Sequence, residues 1–173
     1  MAPGARVLDV ACGSGRHVRW FASRGCAVTG IDRDAAAIES LREVAEVLIA
    51  DIETAPWPLP GRRFDAVVVT NYLWRPLFAT LIDSIDNGGV LIWETFAIGN
   101  AAFGKPSNPD FLLAPGELLQ AAAGLRVVAY EDGLLSGPQR CVQRMCARRE
   151  RAGTALPTPL FAQVKSVDSE ERA

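Results

Sequence analysis

The chain has little of what several common classes of protein need. Of its 173 residues only one is histidine, and its four cysteines show no metal-ligand spacing. A structural zinc site needs four such ligands at short, paired intervals, so we expect no metal. Cys141 and Cys146 lie five apart in a strand-like run, which puts them on opposite faces and defeats a shared bridge. No window approaches the ~18 apolar residues of a spanning helix, so no membrane is expected. The start, Met1-Ala2-Pro3-Gly4-Ala5-Arg6, has no long apolar segment behind it. That predicts no signal peptide and a cytoplasmic protein. The formal charge is -2, which argues against a broad electrostatic surface for nucleic acid.

What is present is apolar and regularly punctuated. With 49% hydrophobic residues the chain can bury one good core. We expect one domain over residues 1–150 and a poorly ordered tail over 151–173. Strands are predicted at Val7–Val10, Ala27–Ile31, Val47–Ala50, Phe64–Thr70 and Val90–Thr95. Helices are expected at Arg16–Arg24, from an Asp34 cap to about Val44, at Pro76–Ile85 and at Pro115–Ala123. Leu125–Tyr130 and Cys141–Ala147 read as two strands joined through Glu131–Gln139. The order implies an α/β, Rossmann-like doubly wound sheet of seven strands, mostly parallel, with a C-terminal antiparallel hairpin. The arginines of the last strand, at 140, 144 and 148, share one face and read as protection of a sheet edge.

In such sheets ligands bind beyond the carboxyl ends of the strands. Asp9, Asp32, Asp51 and Asn71 all fall at or just past such ends. The run Val7-Leu8-Asp9-Val10-Ala11-Cys12-Gly13-Ser14-Gly15 is a buried strand entering a glycine turn, with helix amides following. A dinucleotide turn needs a third glycine three residues on, and Val18 stands there. Asp9 beside the turn opposes a pyrophosphate and suits a cationic amino-acid end. Those two features favour S-adenosylmethionine over NAD.

The same nine residues resemble the first motif of class I S-adenosylmethionine-dependent methyltransferases. Cys12-Gly13-Ser14-Gly15-Arg16-His17, Thr70-Asn71-Tyr72-Leu73 and Trp93-Glu94-Thr95-Phe96, followed by Gly99-Asn100, resemble the small bacterial tellurite-resistance type. The resemblance spans about residues 5 to 148 and implies a cofactor site. In it Asp9 would organise the turn and the methionine ammonium, and Ala11, Cys12 and Gly13 would line the methionine portion, with Gly15 completing the turn. Asp32 would hold the ribose, with Arg33 beside the adenine. Asp51 and Ile52 would recognise the base, and Asn71 and Tyr72 would border the sulfonium. Ala11 stands where many members have glycine. The first strand also begins unusually early for the family, so the expectation is either a minimal cap, with the site open or closed by the tail or a partner subunit, or a native start upstream of Met1.

No Asn-Pro-Pro-aromatic motif follows the fourth strand, which lowers the case for adenine or glutamine methylation. His17 and Glu94 are candidate bases, and Arg75 a candidate clamp for an anionic substrate. The expectation is methyl transfer to a small molecule or an inorganic oxyanion, by a monomer or homodimer. The alternatives are an RNA or protein acceptor, or a binding module without catalysis.

Overall fold

The computed structural model describes residues 1–151 and 153, so the expected tail lies almost wholly outside the described residues. Seven strands form one sheet in the order β3-β2-β1-β4-β5-β7-β6. They are β1 Arg6–Val10, β2 Ala27–Asp32, β3 Glu46–Ile49, β4 Phe64–Thr70, β5 Ile85–Phe96, β6 Arg126–Ser136 and β7 Gln139–Arg148. The helices are α1 Arg16–Ala22, α2 Ala35–Ile38, α3 Phe78–Asp83 and α4 Glu117–Ala121. The first five strands pair in parallel, while β7 runs antiparallel to both β5 and β6. The expected sheet class is the observed one.

Strand periodicity divides the core in two. Leu8, Val10, Val67, Val69, Leu91 and Trp93 pack on the face shared with α3 and α4. Trp93 meets Phe78 edge to face at 4.9 Å between ring centroids. Val7, Val28, Ala66 and Val68 pack against Val18 and Phe21 of α1 and Ile38 of α2. The alternation that buries Val7 towards α1 also turns Asp9 to that side.

Several elements differ from expectation. The second helix ends at Ile38 and tightens into a 3₁₀ turn over Glu39–Leu41. In that tighter winding residues three apart stack in line, which sends Ile38 and Leu41 together into the core. Val44 is exposed and gives a further turn nothing to pack on. The expected helix from Pro76 divides into a 3₁₀ turn, Arg75–Leu77, followed by α3. β5 starts at Ile85, with Asn87-Gly88-Gly89 forming an irregularity within it. A Cβ at Gly89 would sit 2.9 Å from two backbone oxygens, so only glycine fits. β6 and β7 are longer than expected and pair down to Ser136 with Gln139, leaving a two-residue turn in place of the Glu131–Gln139 connection. β7 is therefore interior, and β6 is the edge. The arginines of β7 are not edge protection, because carboxylates and carbonyls of neighbouring elements take them up.

Candidate functional site

The carboxyl ends of β1, β2 and β3 meet around a cleft of about 170 Å³ lined by Ala11, Asp32, Arg33, Asp51, Ile52 and Tyr72, with Ala50 and Glu53. Two larger hollows lie elsewhere, one at the amino ends of the strands and one on the outer sheet face over Ile92 and Cys146. Only the first opens where the glycine turn, the strand-end acids and the post-β4 segment converge.

The turn is held from both sides. The Cys12 amide donates to the Ile31 carbonyl at 3.0 Å, and the Gly13 amide to Asp32 Oδ2 at 2.7 Å. Asp32 Oδ1 accepts from the Asp34 amide at 2.9 Å. Each oxygen keeps a further lone-pair direction, so Asp32 can brace the turn and still accept ribose hydroxyls. Gly15 has φ 79°, and a Cβ there would lie 2.4 Å from the Leu41 methyls, so the turn rests directly on the second core. Ala11 takes φ 52° without being glycine, a sparsely populated conformation for a residue with a side chain.

Asp9 is 1% exposed, and neither carboxylate oxygen has a hydrogen-bond partner. Burial raises its pKa to about 7, against weaker opposing pulls from the Val18 amide and Arg16. Burial, with Asp9 and Asp32 close by, also pushes the Cys12 thiol up to about 12. Asp51 is held below the usual carboxylate range, first by the Glu53 amide, which donates to it at 3.0 Å. The Tyr72 hydroxyl is buried without a hydrogen-bond partner; burial, then the Glu53 charge, lifts its pKa well above the usual phenol value. Asn71, at φ 54°, turns the chain out of β4 and donates its amide to the Glu94 carbonyl.

The neighbouring strand ends are different. His17 accepts from Arg16 at Nε2 (3.3 Å), which assigns the ring proton to Nδ1, 3.4 Å from the Thr70 hydroxyl. Burial and Arg16 lower the His17 pKa, so the ring is neutral. Glu94 pairs with Arg140 at 3.1 Å and Arg144 at 3.8 Å, and Arg144 also bonds Glu131. Arg75 is fully committed: it grips Glu117 at 2.6 and 3.0 Å and the carbonyls of Asp110 and Leu112. It fastens the long segment after β5 to the body and is not a free substrate clamp. Glu53, Arg140 and Arg144 belong to the region and are not anticipated there, while Thr70 enters the sequence reading only as the first residue of the Thr70-Asn71-Tyr72-Leu73 motif. Arg140 and Arg144, four apart on one strand face, leave a trace in the spacing. Among the described residues no group of His, Cys, Asp and Glu is placed to hold a metal ion.

These features fit S-adenosylmethionine. A buried carboxylate with no ion-pair partner suits its cationic end, and a second acid at the next strand suits a ribose. Residues 7–89 match the family model described as a methyltransferase domain. Those residues are just under half of the chain, and with the fold they make it similar to the class I S-adenosylmethionine-dependent methyltransferases.

The chain is 34% identical over 107 residues to a malonyl-[acyl-carrier protein] O-methyltransferase of Enterobacter lignolyticus, covering 54% of this chain and 39% of the relative. It is 36% identical over 102 residues to a trans-aconitate 2-methyltransferase of Paracidovorax citrulli, covering 53% and 38%. The chain thus spans about two fifths of these curated relatives. Among solved structures TehB of Haemophilus influenzae superposes with a TM-score of 0.71 at 21% identity, over 87% of this chain and 59% of that one. A methyltransferase of Mesorhizobium loti superposes at 0.68 and 18% identity, over 86% and 92%. At these identities the superpositions speak for the fold.

Proposed function

We propose that the chain binds S-adenosylmethionine over the β1–β3 strand ends and transfers its methyl group to a small molecule or an inorganic oxyanion. The observation that carries this is the pair of strand-end acids: Asp9 buried without a partner, Asp32 bracing the turn with acceptor capacity to spare. The cofactor supplies a methyl group on a positively charged sulfur. Ala11, Cys12, Gly13 and Gly15 shape the turn against which the methionine portion lies. Asp32 orients the ribose and Arg33 flanks the adenine, which Asp51 and Ile52 recognise. Asn71 and Tyr72 wall the side nearest β4 and exclude water from it.

On this reading the acceptor lies over β4 and β5, beside Thr70, His17 and Glu94, and the sheet order supports it. Neither candidate base is free, since Glu94 is tied to two arginines and His17 already accepts from Arg16. In-line displacement there depends on positioning, and an acceptor that arrives as an anion needs no base. This supports a small anionic acceptor, as do relatives named for malonyl-carrier and trans-aconitate methylation. A protein acceptor is the second reading, favoured by the 40% identity over 79 residues to a ribosomal protein L11 methyltransferase of Burkholderia thailandensis. No helix among the described residues is long and apolar enough to cross a membrane, and the reading keeps a cytoplasmic location.

Calorimetry with S-adenosylmethionine, S-adenosylhomocysteine and NAD tests the cofactor. Binding of the first two and not the third is expected, and the reverse overturns the reading. Asp32→Ala removes charged hydrogen bonds of about 1.5–3 kcal/mol, so affinity falls by about a hundredfold. Labelled methyl groups followed into small-molecule and macromolecular fractions of a lysate separate the two acceptor readings.

A further inference from the structure

Asp9 does more than accommodate a charge. Its carboxyl group sits between the end of β1 and the start of α1, closed off from water. Neither oxygen has a well-formed hydrogen bond, and the Val18 amide of α1 is the donor that faces it. The charged and titratable groups facing it are Arg16 from α1, Asp32 from β2 and Cys12 from the turn. From β4 its register partner is Val68, which carries no charge. The Arg16 guanidinium is the one cation in the set and turns to His17. Without a ligand, then, the Val18 amide and the distant pull of Arg16 do not offset the burial of the oxygen pair, and the proton stays on through weakly acidic conditions.

We propose, resting on the S-adenosylmethionine reading above, that cofactor binding expels this proton: the amino-acid ammonium of the ligand replaces it as the positive partner of Asp9. The exchange balances, since one proton leaves the carboxyl group for solvent, the ammonium keeps its own, and no other bond changes. A unit charge about 5 Å away across the polar edge of a protein lowers an acid by about two pH units, enough to ionise Asp9 near neutrality. Cofactor affinity then rises about tenfold per pH unit between about pH 5 and about pH 7, about a hundredfold in all, and is level on either side. The site takes its cofactor in exchange for a proton, and acidification weakens its hold.

The test is calorimetry at about pH 6 in two buffers of different ionisation heat, which counts protons exchanged per ligand bound. S-adenosylhomocysteine carries the ammonium, and 5′-methylthioadenosine has the same nucleoside without the amino acid. Release of close to one proton with the first and none with the second is expected, with the release abolished in Asp9→Asn. Equal release from both ligands, no release with S-adenosylhomocysteine, or unchanged release in Asp9→Asn would each overturn the proposal. Failure of S-adenosylhomocysteine to bind at any pH instead brings down the cofactor reading on which it rests. If Asp9→Asn folds poorly, the two ligands compared on the native protein at about pH 6 and about pH 8 decide the matter alone, because release must vanish at the higher pH.

Discussion

The two halves of the site are built on opposite electrostatic plans. On the β1–β3 side acids stand singly: Asp9 has no partner and Asp32 holds only backbone amides. On the β4–β7 side every candidate is spent on a neighbour: Glu94 on two arginines, His17 on Arg16 and Thr70, Arg75 on Glu117 and two carbonyls. The first half has kept acceptor capacity in reserve for a cationic ligand. The second is a closed network that shapes space and contributes no free base.

This contrast can be broken most forcefully at Asp9. Below about pH 4 the carboxyl is protonated in folded and unfolded chains alike. Between about 4 and 7 only the unfolded chain gives up the proton, so stability falls across that window and is flat above it. The expected loss is on the order of 4 kcal/mol, and urea titrations of native protein and Asp9→Asn at both ends of the window measure it as a difference. Asp65, Asp86 and Glu46, held low by arginines, work in the opposite sense at lower pH and cancel in that difference. Equal slopes in the two proteins would mean that Asp9 is ionised in the folded state.

Next in size is Gly15→Ala. Positive φ costs a Cβ about 1–2 kcal/mol, and displacing buried Leu41 adds an overpacking cost, giving about 3 kcal/mol together. Melting should show the loss, and a variant as stable as the native chain would mean the turn does not rest on Leu41. The smallest effect belongs to the other half. Arg75→Ala removes a partly exposed clamp and should cost about 1–2 kcal/mol. Limited proteolysis should then cut within residues 99–117 while cofactor affinity stays unchanged. A large drop in affinity would join the two halves into one unit.

The same contrast explains what could be read from the chain alone. Strand and turn positions on the β1–β3 side follow local rules, such as alternation through Val7-Leu8-Asp9-Val10, glycines at positive φ, and an aspartate ending a strand. Each is a short-range property, and the parallel order of five strands follows from the helices between them. The fates of Arg75 and Glu94 depend on partners 42 and 46 residues away, joined through a segment with no regular pattern. The edge role given to the β7 arginines failed for a related reason: a hairpin's two strands look alike in sequence, and nothing local says which one inserts next to β5. The ends of α2 and of the hairpin were misplaced because tertiary contacts, Leu41 under Gly15 and the rungs down to Ser136, set them.

Across β4, β5, β7 and β6, Thr70, Glu94, Arg144 and Glu131 are direct register partners, forming one polar row through four strands. β7 is the last strand among the described residues, yet it has to enter between two others. A slip of one residue would bring Gln143 or Met145 level with Glu94 and point Arg144 into the apolar core. The observed register is thus the one in which Arg144 meets a carboxylate on either side, so this row of charges marks the correct threading of β7.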